Sequence, residues 1–431
     1  MVNGLAERLL RYHSVRTLAR KAYAEMHRIA VDEDHLNIPE IEPLNARPSG
    51  LHGSRINLIL PAVSIKHVFG GIATALALFE RLQEWFPERR IIVTDEASVT
   101  LMTPMLRSNW KLVKMGDSDV CGDTIVICGD RRKRSLPVRG EDVFVATAWW
   151  TAHSGFSLLE WQAQYYGVPG ARLGYLIQDF EPAFYPWSSR YALADLTYRY
   201  PERTIPIFNT RLLAEFFSDN HITFPLSFTF EPRIDSSLRQ LRDSRVTFSK
   251  TRTLLLYGRP NVERNAYALA IAGLRFWATH YEQAKEWQIL SAGEIHDPVL
   301  LSESLSLRSL GKLSLSEYGD LLCTTAVGLS LMVSPHPSYP PLELAAFGAK
   351  VVTNKHANKD LSNLSSSIYS VERADHISVG EALSVACNEY ESGRSLWQMP
   401  VRDVKLGGEF LSLGDPFAFA SQLAEALLAR L

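Results

Sequence analysis

Between Ala326 and Thr353 the sequence runs through an apolar stretch, a polar proline-rich loop, a short helical segment and a second apolar stretch. The first stretch, Ala326–Val333, is too short for a long buried helix and predicts a buried strand. Pro341 suits the first turn of a helix, and Gly348 suits its stop with φ > 0. Lys350–Thr353 then predicts a second buried strand. Strand, loop, helix and strand in close succession is the unit of an open α/β sheet, whose ligands bind beyond the C-terminal ends of the strands. A helix start offers N–H groups to an anion, and Glu343, expected in the first turn, adds a fixed carboxylate. Donors for a diphosphate and an acceptor for a ribose hydroxyl suit a sugar nucleotide. An ordinary strand–helix join, with Glu343 offsetting the helix dipole, accounts for the same residues.

The rest of the chain repeats the pattern. At 431 residues it exceeds one ordinary core, so two domains are expected. Residues 1–54 read as an extension, with a basic amphipathic helix over 1–30 and a polar segment from Val31 to Ser54 that wraps the surface. That helix lies on an anionic membrane surface or packs on its own protein. Residues 55–228 read as a first α/β domain opening with the strand Arg55–Pro61. Phe69-Gly70-Gly71 then precedes helical spacing from Ile72 to Leu82. A glycine pair between strand and helix lets backbone N–H groups approach a phosphate or sugar, although a tight turn needs glycine for its own sake. Strands are expected at Arg90–Thr94, Thr124–Cys128, Val143–Ala146, Gly174–Ile177 and Pro206–Thr210, with a helix over Arg211–Asp219. Arg131–Arg134 is a basic cluster, either a solvated turn or a contact for anionic lipid.

Two stretches at expected strand ends are chemically rich: Trp149–Ser154 and Gln178–Trp187. Aromatic faces beside carboxylates and a histidine suit a sugar-binding cleft. Asp179, Glu181 and His153 are the candidates to take a proton from an acceptor hydroxyl. In the bland alternative Asp179 caps a turn and the aromatics are core. Phe224–Ser236 reads as a linker, followed by a second α/β domain over 229–405. It opens with the strand Leu254–Arg259 and a helix over Asn261–Tyr281. Arg259 and Arg264 flank that strand–helix loop and are placed to converge on a phosphate. Strands follow at Trp287–Ser291 and Leu307–Leu310. Capping boxes are expected at Ser314/Glu317 and Ser378/Glu381, and Asp415-Pro416 is expected to start a final helix in the segment 406–431.

Composition narrows the class. A net charge of −2 gives no general case for nucleic-acid binding. No apolar run is long enough to span a bilayer, and the first residues lack the apolar core of a signal peptide. Cys121, Cys128, Cys323 and Cys387 lack metal-ligand spacing and read as buried thiols of a reducing compartment. The expectation is a cytoplasmic protein, peripheral at the inner membrane face if residues 1–30 touch lipid.

Tyr257-Gly258-Arg259 with Arg264, Gly311-Lys312-Leu313 with Glu317-Tyr318, and Pro341-Leu342-Glu343 with Gly348 resemble the donor-binding half of GT-B glycosyltransferases of family 4. Phe69-Gly70-Gly71-Ile72 resembles the glycine loop of their other half. Gln178-Asp179-Phe180-Glu181-Pro182 and Ser334-Pro335-His336-Pro337-Ser338-Tyr339 are more particular and resemble WsaF-type rhamnosyltransferases, which use dTDP-L-rhamnose to build bacterial surface glycans. The resemblance implies α/β architecture of the GT-B kind: two Rossmann-like domains facing across a cleft, with an N-terminal helical extension and a C-terminal helix. It implies that Arg259, Arg264, Gly70 and Gly71 serve the donor diphosphate, that Glu343 holds the ribose, and that Lys312-Leu313 reads the base. His336, Ser338 and Tyr339 would lie in the donor-sugar loop. It also implies retention of anomeric configuration and a glycan acceptor, free or lipid-linked. The family's usual glutamate eight residues before Glu343 is replaced by Pro335, and its usual lysine by Arg264. No Asp-x-Asp pair stands where a metal would bridge the diphosphate, so no cofactor or metal is expected. A non-catalytic glycan-binding module of a larger polysaccharide-assembly protein is the rival reading, and a sugar-nucleotide epimerase a third. Homodimerisation is left open.

Overall fold

The computed structural model describes residues 37–64, 70–98, 110–393 and 398–430. The helix expected over residues 1–30 lies outside the described residues, as does Phe69 of the glycine loop. Residues 1–42 and 43–431 are separate compact units. Of the first, a 3-10 turn at Pro39–Ile41 is described.

The second unit is built on two large sheets of mainly parallel strands. The first contains β1 (Arg55–Leu60), β2 (Glu88–Val93), β3 (Lys111–Lys114), β4 (Thr124–Ile127), β5 (Asp142–Ala146), β6 (Leu173–Ile177), β7 (Thr204–Asn209) and β8 (Phe228–Phe230). Their order is β8-β7-β6-β5-β1-β2-β4-β3. The central strands are mainly apolar and buried on both faces, as a parallel sheet covered by helices requires. Two of these strands escape the sequence. β3 is an edge strand whose Lys-Leu-Val-Lys carries no apolar run. β8 occupies the expected linker, and its Phe-Thr-Phe turns Phe228 and Phe230 into the core. Ala46–Pro48, in the expected wrapping segment, pairs in parallel with Leu136–Val138.

The helices on this sheet are α1 (Gly71–Arg81), α2 (Trp149–Tyr166), α3 (Ser189–Leu196) and α4 (Arg211–Asp219). The chain then crosses to the second sheet, formed by β9 (Thr251–Gly258), β10 (Gln288–Gly293), β11 (Val299–Ser302), β12 (Leu305–Ser309), β13 (Thr325–Leu329), β14 (Lys350–Asn354) and β15 (Ile368–Val371), in the order β11-β12-β10-β9-β13-β14-β15. All neighbours are parallel except β11–β12. Around it lie α5 (Ser236–Asp243), α6 (Tyr267–His280), α7 (Leu315–Thr324), α8 (Tyr339–Ala346) and α9 (His376–Ser392), and the last helix, α10 (Ala420–Leu428), follows. The two Rossmann-like domains of the expectation are present.

Several boundaries move. Asn261–Ala266 is a turn and a 3-10 segment rather than helix, and α6 begins at Tyr267. The Ser314/Glu317 capping box forms, each residue satisfying a backbone N–H of the other. Ser378 is not a cap: Asp375 caps α9 and accepts the Ser378 N–H at 2.8 Å. Asp415 binds the Phe417 N–H in a turn, and α10 starts at Ala420. Phe410 belongs to the core of the second sheet, whereas Phe417, Leu423 and Leu427 pack into that of the first. The C-terminal segment therefore returns to the first domain. Cys121 is exposed, while Cys128, Cys323 and Cys387 are buried, and all four are free thiols.

The end of the first sheet opposite its strand C-termini is held by buried charges. The Arg55 Nε and Nη2 donate to the two Asp142 oxygens at 2.9 and 2.8 Å. Arg90 approaches the same carboxylate at 3.4 Å, and Arg55 and Arg139 both pair with Asp119. Removing one partner strands buried charges, so Asp142→Ala is expected to cost about 3–5 kcal/mol in urea denaturation; a loss below about 1 kcal/mol would show that the cluster relaxes. These guanidiniums hold the Asp119 carboxyl down to about 2, from 3.8. Its contribution to stability is complete above the unfolded value and is lost as pH falls through the folded one.

Candidate active site

The C-terminal ends of the two sheets present their loops to one cleft. On the first domain, α1 starts at a glycine pair with two distinct needs. Gly70 has φ +44° and ψ −103°, open to glycine alone in practice. A Cβ on Gly71 would stand 2.9 Å from the Gln178 amide, which donates to the Gly71 carbonyl at 3.1 Å. The glycine turn and the loop after β6 are thus brought together, as their topology implied.

Within that loop Asp179 and Glu181 divide. Asp179 is buried, accepts the Ser334 hydroxyl at 2.5 Å and lies 3.4 Å from the Arg264 Nε. Both partners come from the second domain. Glu181 faces inward instead. It accepts the Tyr175 hydroxyl at 2.8 Å and a hydrogen bond from the Trp149 backbone at the start of α2. Burial raises its carboxyl to about 8, so it is mostly protonated at neutral pH. Trp149–Ser154, expected as a loop, is the beginning of α2, with Trp149 fully buried and its indole donating to the Tyr185 hydroxyl at 3.0 Å. His153 is half-buried in the second turn of α2, and burial lowers its pKa. Among the described residues it makes no hydrogen bond to Asp179 or Glu181. Of the three proton-taking candidates, Asp179 is the one held at the meeting of the domains.

On the second domain Arg264 sits in the 3-10 segment ahead of α6, with its guanidinium 4.3 Å from the centre of the Phe184 ring. Arg259 lies in the turn after β9, its Nε 3.5 Å from Glu294. Their present partners differ, although both belong to one strand–helix loop. Lys312 is exposed on the neighbouring turn, where burial and the charge of Arg259 lower its pKa. Leu313 packs partly on the core beneath.

The loop from Ser334 to Tyr339 is buried and strained. Ser338 has φ +69°, a left-handed value that costs a non-glycine residue of order 1–3 kcal/mol. The Ser338 N–H donates to the His336 Nδ1 at 3.0 Å and the His336 N–H to the Ser334 hydroxyl at 2.9 Å. Since Nδ1 accepts, a neutral His336 carries its proton on Nε2. That atom is buried and has no partner among the described residues. Burial brings this imidazole down to about 4. The Tyr339 hydroxyl lies beside Asn209 and Thr74 of the first domain. Glu343 falls in the second turn of α8, with no acidic residue in the first. It accepts the Tyr318 hydroxyl at 2.9 Å, and burial raises it to about 7.

One residue of the cluster was not read from the sequence. Lys359 is 1% exposed, donates to the Met332 carbonyl at 2.6 Å, and is lowered by burial to about 8 against the charge of Asp179. It follows β14, so the strand-end rule that singled out Asp179 would also have found it. The basic run at Arg131 is not a solvated turn throughout: Arg131 is buried and donates to the Thr94 carbonyl at 2.9 Å. Among the described residues no three His, Cys, Asp or Glu side chains gather into a metal set, and no helix is long and apolar enough to cross a membrane.

Known proteins are similar to this chain in sequence and in fold. Residues 55–211 match the family model for the WsaF N-terminal domain and residues 252–384 that for the WsaF C-terminal domain. An O-antigen biosynthesis protein, RfbC of Myxococcus xanthus, is 34% identical over 213 residues, covering 49% of this chain and 15% of that protein's length. Among solved structures, a UDP-forming trehalose-phosphate synthase from Burkholderia xenovorans superposes with a TM-score of 0.54 at 11% identity, covering 88% of this chain and all of that one. Sucrose-phosphate synthase from Thermosynechococcus elongatus gives 0.52 at 11% identity, over 87% of this chain and 95% of that one. At such identities the likeness shows the fold, that of GT-B glycosyltransferases. With both family domains matched in order, and the cleft formed between them, the chain belongs to the WsaF-type GT-B glycosyltransferases.

Proposed function

We propose that the chain transfers L-rhamnose from dTDP-L-rhamnose to a growing bacterial surface polysaccharide, without a metal ion. The observation that carries this reading is the meeting of Asp179 with Ser334 and Arg264 across the cleft. It puts a carboxylate of one domain and a guanidinium of the other at one point, beside the unpartnered Nε2 of His336. The M. xanthus relative, named for O-antigen biosynthesis, supports the choice of a surface glycan.

In this reading the bond from the sugar C1 to the diphosphate breaks and its electron pair leaves with dTDP. Arg259, Arg264 and Lys312 oppose the charge that develops there, where fixed cations in a partly dry site act most strongly. The acceptor oxygen bonds to C1, and its proton passes to Asp179. Glu343, steadied by Tyr318, holds the sugar of the nucleoside, and a deoxyribose offers it one hydroxyl fewer than a ribose. The Lys312-Leu313 backbone reads the base. The His336 Nε2–H and Ser338 contact hydroxyls of the donor sugar, and Gly70 and Gly71 let the first domain come close.

The test is transfer by the isolated chain, with dTDP-L-rhamnose and a rhamnose trisaccharide as acceptor, in EDTA. Release of dTDP with a lengthened glycan is expected. No turnover with or without added divalent metal would favour the glycan-binding module instead.

A further inference from the structure

We propose that the groove between Trp187 and α3 is an acceptor subsite that holds the sugar units behind the reacting hydroxyl. The proposal rests on the transferase reading and deepens it. Trp187 and Tyr191 are stacked with ring centres 5.2 Å apart and planes 10° apart, yet Trp187 is 91% exposed. Leu196, also exposed, lines the same groove, so the bare indole is part of a shared apolar face, the kind of patch that marks a binding site. The groove has a volume of about 430 Å3 and continues along α3 past Leu196.

Its polar edge has the chemistry of hydroxyl recognition. Arg199 donates through Nε and Nη2 to the two oxygens of Asp195 at 2.9 and 2.8 Å, making a flat bidentate pair. Such a pair still offers lone pairs from the carboxylate and N–H groups from the guanidinium. The Ser188 oxygen accepts the Tyr191 N–H, which leaves its hydrogen to donate. A flat apolar face with donors and acceptors along one edge fits a pyranose ring, whose C–H face stacks while its hydroxyls bond at the rim. A lipid tail would leave those polar groups without partners.

Position points the same way. Phe184 lies under the Arg264 guanidinium at the donor side. Trp187 is three residues further on, so their Cα atoms are at most about 10 Å apart. The groove therefore begins within a few residues of the loop that meets the donor side.

The experiment titrates an α-linked rhamnose trisaccharide onto the full chain by calorimetry, with dTDP binding measured in parallel and undecyl phosphate as a lipid surrogate. Trp187 is so exposed that its replacement should not disturb folding. Trp187→Ala is expected to raise the trisaccharide Kd about tenfold, which corresponds to about 1.4 kcal/mol, and Trp187→Phe to recover most of it. An unchanged Kd in Trp187→Ala, no trisaccharide binding by the parent chain that does bind dTDP, or displacement of the trisaccharide by undecyl phosphate would each overturn the subsite alone. Failure to bind dTDP would instead strike the transferase reading beneath it.

Discussion

Arg264→Ala is expected to lower kcat about 10²- to 10³-fold, the loss that follows removal of one fixed donor from a developing anion. Arg264 is held from two sides, by the Phe184 ring below its guanidinium and by Asp179 at its Nε. Neither contact is in a hydrophobic core, and the side chain is about a third exposed, so the melting temperature should move little. Arg264→Lys should restore part of the rate, because it keeps the charge and loses the flat stacking surface. Steady-state kinetics with circular dichroism of both variants decide the matter. An Arg264→Ala enzyme of full activity would remove the arginine from the account.

Asp179→Asn is expected to reduce turnover about 10²- to 10⁴-fold, the usual range for a positioned proton acceptor. The amide oxygen can still accept the Ser334 hydroxyl, so the substitution removes charge and spares shape. The pH profile gives a second readout. Asp179 raises the pKa of Lys359 and of His336 against their burial. Without it Lys359 falls below about 8, so a limb that follows loss of the Lys359 proton should move to lower pH. Glu181→Gln supplies the contrast. That carboxyl is already mostly protonated at neutral pH, so its amide should change the rate only a few-fold. Equal losses in the two variants would contradict the assignment of Asp179.

The strands of both sheets were legible wherever they were central, because a parallel strand buried on both faces is mostly apolar along its length. The four edge strands β3, β8, β11 and β15 were not, being only three or four residues long and open to solvent along one side. Helix starts were read less well. Asn261–Ala266 has helical composition, but the chain keeps a turn there with Ala266 at φ +46°, and local pattern does not report that. The loop after β6 and the loop Ser334–Tyr339 were both singled out as functional, and the structure bonds them to each other. What the sequence could not convey was the division of labour within them. Asp179 and Glu181 are two residues apart, yet one faces the cleft and the other steadies α2.

The central claim is that the second domain holds a thymidine diphosphate sugar through Arg259, Arg264 and Glu343. Thermal shift of the parent chain and of Arg264→Ala with dTDP-L-rhamnose, UDP-glucose and GDP-mannose tests it directly, since a ligand that binds only the folded chain stabilises it by RT ln(1 + [L]/Kd). The largest shift is expected for dTDP-L-rhamnose, and it should shrink in the Arg264→Ala variant. Equal or absent shifts for all three in the parent chain would contradict the account.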